Sequence, residues 1–408
     1  MKIKEIGTTI TGKTPSTSNP SFFDGLIPFV TPEDLSKKYI ITNTKRFLSE
    51  SGYKSIKNNT LENISVLVGC IGSDMGNIGI TLGRCATNQQ INAITNFVSN
   101  VDPYYIYYYL SMHKAYLRQI AGMTTTPILP KSVFDEIDIP IPSYEKQNKI
   151  VAVLKKLDDK ILLNNSIISK LEEMAKTIYG YWFLQFDFPN HEGKPYASSG
   201  GAMKYSEELG REIPTDWEVE NFYQNSLFSL VPTGVEKFST KRYLATADVI
   251  GTNIGEGKQV EYETRETRAN MQPRINSVWF AKMKNSTKHL FLNKEMGFLI
   301  EKCILSTGFF GLQCSETSFE YIASTISYPS FEIKKDSLAH GATQEAVNQD
   351  DLQSIKLLVP NILVLEKFHK LTKPLYGYIS QMRHENQKLA QLRDWLLPML
   401  MNGQVRVE

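Results

Sequence analysis

The sequence predicts an α+β protein, a tandem duplication with pseudo-two-fold symmetry, in which two mixed α/β domains are separated by two long helices packed as an antiparallel coiled coil. Two observations predict this architecture. A heptad spacing of apolar residues occurs twice, and the two copies are offset by 218 residues. A block rich in β-branched residues, punctuated by Gly, Asn and Pro, precedes each copy.

The heptad pattern defines the expected helix pair. Apolar residues alternate at spacings of four and three from Ile150 to Trp182, and adding 218 gives a second copy with polar intrusions. Upstream, Pro142 corresponds to Pro360 at the same offset. The residues expected to form the seam between the helices are Leu157, Ile161, Asn164, Ile168 and Leu171 with Leu375, Ile379, Met382, Asn386 and Leu389. The two asparagines either set the register of the pair or face water.

The duplication predicts five segments. They are a first mixed domain at 1–142, a central helix at 143–182, a connector at 183–212, a second mixed domain at 213–360 and a distal helix at 361–402.

The first mixed domain is expected to be rich in loops. Strand-like pieces occur at 27–30, 65–71, 79–82 and 91–98. A helix is expected from Pro103 to Gln119, with Asp102 as its cap, and its five tyrosines are expected to pack rather than to form a stacking platform. Glycines between 69 and 83 indicate a turn between two strands, with Ser73, Asp74 and Asn77 at its tip.

The second half repeats this order. Ser143 is expected to cap the central helix, and Pro, Gly and Ser in 186–210 are typical of a connector. Apolar pieces of the second block lie at 243–249, 278–281, 297–305 and 319–327. In the distal helix, Pro374 and Gly377 are expected to kink or break the first third.

Composition is that of a globular protein with two cores: 408 residues, of which 41% are hydrophobic and 22% charged. Four cysteines lie in no metal-ligand spacing and are expected to stay reduced. No signal peptide or membrane-spanning run is evident, so a cytoplasmic location is expected. The net charge of +2 does not by itself indicate nucleic-acid binding. The segment 265–302 carries eight basic and three acidic residues, which fits a binding face or a solvated surface equally.

A literal phosphate-loop pattern, GxxxxGK[ST], runs from Gly7 to Thr14. Its chemistry requires a preceding strand and a following helix, whereas only six residues precede it and Pro15 to Pro20 follow it. Nucleotide binding is therefore a minor alternative. The segment from Asn19 to Phe22 approaches an amino-methyltransferase motif, but Ser21 breaks it and no cofactor turn accompanies it.

Several stretches resemble one known family across nearly the whole chain. They are Ile139 to Val151, Leu157 to Ile161, Lys170 to Met174, Ile213 to Trp217, Asn88 to Gln90 and Lys388 to Gly403. Together with the duplication, they make the chain similar to the specificity subunit of type I restriction-modification systems.

The resemblance implies two target-recognition domains that each read one half of an interrupted double-stranded DNA sequence, with the helix pair setting the gap. It implies no catalysis and no cofactor in this chain. Two methyltransferase subunits would dock on it and methylate adenine with S-adenosylmethionine. Restriction subunits would supply cleavage driven by ATP with Mg²⁺.

Loop residues able to donate to phosphates or base edges are the expected DNA contacts. Lys and Arg would mainly position the duplex, whereas Asn, Gln and some Arg would discriminate bases. In the first domain the candidates are Gly12, Lys13, Thr14, Ser73, Asn77, Arg84, Gln89, Gln90, Thr124, Thr125 and Thr126. In the second they are Lys241, Arg242, Lys282, Lys284, Asn285, Ser286, Thr287, Lys288 and Thr307. Gln89 and Gln90 have the alternative of tying strands together.

Two other functions stay open from sequence. One is a coiled-coil scaffold that binds only proteins. The other is an enzyme that binds ATP through Gly7 to Thr14.

Overall fold

Residues 1–35, 39–122 and 127–405 are described by the computed structural model. They pack as two units: unit 1 comprises the described residues of Met1–Ile161 and Lys388–Glu408, and unit 2 comprises Leu162–Gln387. Each unit contains one mixed block and part of both long helices.

The described part of unit 1 has eight strands and six short α-helices, followed by a long helix. The strands are β1 Thr8–Thr11, β2 Ile27–Val30, β3 Arg46–Leu48, β4 Thr60–Leu61, β5 Ser65–Gly69, β6 Ile78–Thr81, β7 Cys85–Thr87 and β8 Ile91–Thr95. The helices are α1 Ile3–Ile6, α2 Pro32–Leu35, α3 Glu50–Ser55, α4 Pro103–Met112, α5 Lys114–Ile120, α6 Lys131–Asp135 and the long α7 Tyr144–Tyr179.

The strands of unit 1 form two four-stranded sheets. One has the order β1-β8-β5-β6 and is antiparallel throughout. The other has the order β3-β2-β7-β4, in which β2 and β7 pair in parallel. Helix α4 packs on β5 and β6 and buries Tyr105 and Tyr108. The tyrosine-rich helix therefore serves packing, as the sequence predicted.

Local backbone geometry sets where the predicted elements end. The expected strand 91–98 stops at Thr95, because Asn96 adopts a left-handed conformation with φ of 48°. The expected single helix 103–119 is wrong: it divides into α4 and α5 at His113, whose ψ of 22° leaves the helical region.

Two predicted helix caps are present. Asp102 caps α4 by accepting from the two amides that follow Pro103. Ser143 Oγ accepts from the Lys146 amide at 3.4 Å at the start of α7.

Unit 2 contains fourteen strands and three α-helices besides its parts of α7 and a second long helix. The strands are β9 Met203–Ser206, β10 Arg211–Pro214, β11 Glu218–Asn221, β12 Phe228–Leu230, β13 Thr240–Leu244, β14 Val249–Ile250, β15 Asn253–Ile254, β16 Lys258–Glu261, β17 Ala269–Met271, β18 Ser277–Ala281, β19 His289–Leu292, β20 Cys303–Ser306, β21 Phe309–Cys314 and β22 Lys356–Val359. The helices are α8 Gly297–Lys302, α9 Phe319–Ser327, α10 Pro329–Leu338 and the long α11 Ile362–Met401.

Unit 2 repeats the two sheets of unit 1. The first has the order β12-β21-β18-β19 and the second the order β16-β13-β20-β17, again with one parallel pair, β13 with β20. Each strand of unit 1 therefore has a counterpart with the same neighbours, as a tandem duplication requires.

The segment 183–212 is more structured than connector composition suggests. It includes the last two residues of a π-helical turn at Gly180–Leu184 and the start of the hairpin β9–β10. Phe186 and Phe188 are buried against Trp217, with ring centroids 5.5 and 5.1 Å from it. These aromatic residues anchor the segment to the core of unit 2.

Of the kink or break expected in the distal helix, the break is wrong, because α11 continues through Pro374 and Gly377. Pro374 lies on the exposed side of the helix, where the carbonyl that loses its amide partner can be solvated. Thr372 and Tyr376 are buried and hold the helix against the core. Packing thus overrides the local signal.

Candidate nucleic-acid interface

The pairing of β1 with β8 brings two predicted contact segments of unit 1 together. The Gly12 amide donates to the Ile91 carbonyl at 3.0 Å, and Thr14 Oγ1 donates to Gln89 Oε1 at 2.8 Å. A Cβ at Gly12 would lie 2.1 Å from a threonine hydroxyl at the end of β7, so this glycine permits a close approach. Lys13 and Gln89 are exposed beside it.

The segment Gly7 to Thr14 has no phosphate-loop geometry. Its central part is β1, and the residues that follow it are irregular until a short 3-10 turn at Pro20–Phe22. A phosphate loop instead leads directly into a helix whose N-terminus holds the phosphate. The ATP-binding alternative is therefore not supported.

The turn between β7 and β8 is held by its own amides. Gln90 Oε1 accepts from Asn88 Nδ2 at 2.8 Å, and the Gln90 carbonyl accepts from the Cys70 amide at 2.7 Å. Gln90 thus joins this turn to the start of the hairpin between β5 and β6, which matches the strand-tying alternative for this residue.

The hairpin between β5 and β6 presents Ser73 and Asn77, as the glycine pattern predicted. Arg118 Nη2 donates to the Ser73 carbonyl at 3.1 Å, and Arg118 Nε donates to the Met75 carbonyl at 3.1 Å. Lys114 Nζ donates to Asn77 Oδ1, and burial lowers the pKa of Lys114. Both basic residues lie on α5. Most of their acceptors are backbone carbonyls, which every residue supplies, so no sequence pattern marks these two contacts.

Other candidates of the first block lie apart from this group. Arg84 makes a bidentate pair with Glu50, at 2.6 and 2.8 Å, and stacks 4.3 Å from the centre of the Tyr53 ring near the second sheet. The hydrogen bonds from Arg84 lower the pKa of Glu50. The three remaining candidates, Thr124, Thr125 and Thr126, fall outside the described residues.

In unit 2 the corresponding hairpin, 282–288, joins β18 to β19 and contains six of the nine second-block candidates. Lys284 pairs with Glu345 at 2.8 Å, and Lys288 Nζ donates to the Thr246 carbonyl at 2.6 Å. The Asn285 amide donates to a carboxylate of α10 at 3.1 Å. These bonds fix most of the hairpin.

The turn between β20 and β21 lies beside this hairpin. The Lys282 amide donates to the Gly308 carbonyl at 2.9 Å, and the Thr307 amide donates to the Arg268 carbonyl at 2.8 Å. Lys282 and Thr307 are thus brought together, as the equivalent hairpin and turn are in unit 1.

A buried lysine supports this hairpin from α10. The Lys335 side chain is 0% exposed, and its Nζ donates to Glu332 Oε2 at 2.6 Å. It also donates at 3.3 Å to three carbonyls at the hairpin, those of Ala281, Met283 and Ser286. Nothing in the sequence marks this lysine, because lysines in helices are usually solvated.

Glu332, the nearer of the two acidic partners of this lysine, is itself partly buried. Burial raises the pKa of Glu332, but hydrogen bonds from His289 and Lys335 outweigh it, so the pKa is lowered overall. The carboxylate therefore stays charged beside the lysine that supports the hairpin.

The remaining second-block candidates, Lys241 and Arg242, lie on β13 in the other sheet. Lys241 Nζ donates to Gln272 Oε1 at 3.3 Å, and Arg242 Nε donates to Cys303 Sγ at 3.4 Å. These side chains are engaged within the sheet and are separate from the hairpin group.

The seam residues predicted for the helix pair are all buried or partly buried. In unit 2, Asn164 Nδ2 donates to Asn386 Oδ1 at 2.9 Å, and the ring centroids of Trp182 and Phe368 are 5.6 Å apart. Rising numbers in α7 and in the π-helical turn that follows it thus meet falling numbers in α11, so the packing is antiparallel. Asn164 is buried, and it faces the second asparagine rather than water.

In unit 1 the helix pair is joined by a buried ion pair. Arg393 Nη1 donates to Asp158 Oδ1 at 2.7 Å, and Tyr108 Oη donates to Asp158 Oδ2 at 2.7 Å. Burial lowers the pKa of Arg393, but Asp158 outweighs it and raises the pKa overall. The Asp158 side chain is only 3% exposed, so this carboxylate depends on its two donors.

Two sheets, a fixed hairpin and a shared helix pair characterise each unit, and known proteins share this pattern. A family model described as the type I restriction modification DNA specificity domain matches residues 1–208, just over half of the chain. The chain belongs to this family. The family is the DNA-recognition subunit of type I restriction-modification systems and not the catalytic one.

Two specificity subunits illustrate the relationship. The MjaIX specificity subunit of Methanocaldococcus jannaschii is 27% identical over 436 residues, which covers 100% of this chain and 93% of the relative. The HindI specificity subunit of Haemophilus influenzae is 33% identical over 177 residues, covering 41% of this chain and 37% of the relative.

A solved structure extends the likeness to the fold. The S subunit of a type I restriction-modification system from M. genitalium matches with a TM-score of 0.55 at 14% identity, covering 98% of this chain and 95% of that one. The specificity-subunit relatives give no support to the alternative of a scaffold that binds only proteins.

Membrane-spanning helices and metal clusters are absent from the described residues of this family member. None of the helices there is long and apolar enough to cross a membrane. Within the same residues, no group of three or more His, Cys, Asp or Glu side chains could hold a metal ion.

Proposed function

We propose that each unit reads one half of a two-part target in double-stranded DNA, and that the helix pair sets the gap between the halves. The observation that carries this proposal is the repeated topology, in which each unit has the same two sheets and the same hairpin. Two equivalent reading domains in one chain fit a target with two separated parts.

The DNA-contacting surface in each unit is proposed to comprise the hairpin and the adjacent turn. In unit 1 these segments carry the exposed side chains of Ser73 and Gln89, and Lys13 is exposed beside them at the end of β1. In unit 2 the hairpin 282–288 and Thr307 take the same topological place. Arg84, Lys241 and Arg242 are engaged elsewhere, so we give them a structural role.

The domain limits that we propose are 1–142 and 213–360 for the reading domains, with helices at 143–182 and 361–402 and a connector at 183–212. Helix α7 has 36 residues, and at ~1.5 Å per residue it spans ~54 Å, comparable with ~16 base pairs. This length makes the helix pair suitable as a spacer.

The catalytic steps are proposed to belong to partners. Two methyltransferase subunits would dock on this chain and methylate adenine with S-adenosylmethionine, and restriction subunits would use ATP and Mg²⁺. A cytoplasmic location is proposed because the target is cellular DNA, and four buried free cysteines agree with it.

The test is methylation sequencing of DNA from cells that carry the system, followed by footprinting of the complex reconstituted with its methyltransferase subunits. We expect methylated adenine and footprint protection at a single two-part sequence with a constant gap. A complex that protects DNA without sequence preference would contradict the proposal.

A further inference from the structure

A cleft in unit 2 opens beside the hairpin 282–288. Its volume is about 630 Å³, and its apolar walls include Phe228, Leu230, Met271 and Phe310. Its polar groups are neutral amides and hydroxyls, except for Lys282, which is the one charged residue among those lining it. A cleft with mixed polar and apolar walls and a single cation fits a ligand with a small number of well-placed hydrogen-bond acceptors.

Lys282 differs from the other candidate cations of unit 2. Lys284 and Lys288 have acceptors in the protein, as do Lys241 and Arg242 on β13. By contrast, the Lys282 ammonium has neither a hydrogen bond nor an ion pair to any described residue. It lies 4.2 Å from the centroid of the Phe310 ring, and burial lowers its pKa.

Strand register identifies the same position in unit 1. Val68 and Phe280 occupy equivalent places in β5 and β18, and each lies two residues before the first hairpin residue. Lys282 therefore corresponds to Cys70. Val68 pairs with Asn92 and Phe280 pairs with Phe310, so these two partners also correspond.

Backbone hydrogen bonds support this correspondence. The Cys70 amide donates to a carbonyl two residues before Asn92, and the Lys282 amide donates to a carbonyl two residues before Phe310. The Cys70 carbonyl accepts from the Leu129 amide at 2.9 Å, and the Lys282 carbonyl accepts from the Val347 amide at 3.0 Å. The two positions thus share one backbone environment and differ in side chain.

In unit 1 the side chains at these two positions are hydrogen-bonded to each other and are not free to contact a ligand. Asn92 Nδ2 donates to Cys70 Sγ at 3.3 Å, and Thr11 Oγ1 donates to Asn92 Oδ1 at 2.7 Å. Cys70 and Asn92 are both buried. The two units therefore differ in chemistry at one matched place, which is closed in unit 1 and cationic in unit 2.

We propose that Lys282 is a specificity-determining residue that reads a guanine of the half-site bound by unit 2, by donating to the base acceptors O6 and N7. This rests on the proposed function. Guanine presents two adjacent acceptors in the major groove, which suits a donor-only ammonium. A phosphate is less suited, because it is a concentrated charge usually met by several exposed cationic donors, whereas Lys282 is the single cation lining this cleft and is itself partly buried.

The experiment uses the full chain in complex with its methyltransferase subunits, and duplexes carrying the target found by methylation sequencing. Photocrosslinking of each half-site to the chain, followed by peptide mapping, assigns the half-site that unit 2 reads. Each guanine is then replaced in turn by 7-deazaguanine, which removes the N7 acceptor. We expect one substitution, in the half-site read by unit 2, to weaken binding of the unaltered complex about 5- to 150-fold.

Lys282→Met keeps an aliphatic stem on Phe310 and removes the charge. We expect it to weaken binding of the natural target by a similar factor and to abolish the effect of that one 7-deazaguanine. Lys284→Met, in the same hairpin, is the matched control and should leave the 7-deazaguanine effect intact. Because the 7-deazaguanine arm uses the unaltered protein, it does not depend on the folding of a variant.

Three results would overturn the inference while leaving the proposed function intact. The first is a unit 2 half-site in which no 7-deazaguanine weakens binding. The second is unchanged discrimination by Lys282→Met at every guanine. The third is a loss of affinity in Lys282→Met that depends on one DNA linkage, as shown by replacing that linkage with methylphosphonate, and on no base. That result would identify a phosphate contact. If the unaltered complex binds DNA without sequence preference, the proposed function itself fails.

Discussion

Replacing Lys335 with methionine should loosen the hairpin 282–288. The substitution keeps an aliphatic side chain but removes an ammonium that is 0% exposed. This ammonium pairs with Glu332 and, at 3.5 Å, with Asp336, and it donates to three hairpin carbonyls. Glu332 would retain only His289, at 2.8 Å, as a basic partner among the described residues. Removing one member of a buried ion pair costs about 3–5 kcal/mol, because the charge that stays behind loses its partner.

Hydrogen exchange of the full chain is the appropriate assay for Lys335→Met. A chain with two units need not unfold in one step, whereas exchange reports the opening of each segment separately. Where exchange follows the opening equilibrium, about 3–5 kcal/mol corresponds to roughly 150- to 4,000-fold faster exchange in the most protected amides of β18 and β19. Peptides from unit 1 should not change.

Lys334→Met is the matched control, because Lys334 is the exposed neighbour on α10. It should change the free energy of opening by less than about 0.5 kcal/mol. If Lys335→Met costs less than about 1 kcal/mol, far below the range for a buried pair, the reasoning is refuted. In the complex, Lys335→Met should also weaken discrimination at the unit 2 half-site alone.

Charge and helix length can be tested in the same way. Glu332 has a lowered pKa in the folded protein, so its contribution to the stability of unit 2 is present above the unfolded value of about 4.5 and is lost as pH falls through the lowered pKa. Hydrogen exchange measured against pH should show this loss of stability. Glu332→Gln should remove the pH dependence. Arg393→Met should destabilise the packing of 388–401 by about 3–5 kcal/mol, since Asp158 stays buried, and an unchanged exchange rate there would disprove it. Inserting four residues, about one helical turn, in both long helices beside Asn164 and its partner should lengthen the methylated gap by about two base pairs. Altered half-site sequences would instead show that the helices take part in reading.

The helix pair could be predicted from sequence because its signal is periodic over many turns. The partners within it could not, since a constant offset of 218 aligns Asn164 with Met382, whereas the structure pairs it with Asn386. The offset describes how a pattern repeats along the chain. Antiparallel packing decides which members of the two copies meet, and that information is not local.

The contact loops were harder to predict because the offset between the two units varies outside the helices. Strand register makes Thr9 equivalent to Leu230, an offset of 221, and Leu67 equivalent to Trp279, an offset of 212. Insertions and deletions in the loops shift the alignment by several residues in each direction. A single offset therefore finds the duplication but does not pair the hairpin residues of the two units.

The matched position just after β5 and β18 shows how two copies of one fold can acquire different specificities. Cys70 closes it in unit 1 by accepting from Asn92, and Lys282 leaves it open in unit 2 beside Phe310. Both positions follow the last residue of a strand, so an exchange there alters the hairpin surface without changing the buried strand itself. The side chains that contact DNA can then differ between the two units while the sheet that positions them stays the same.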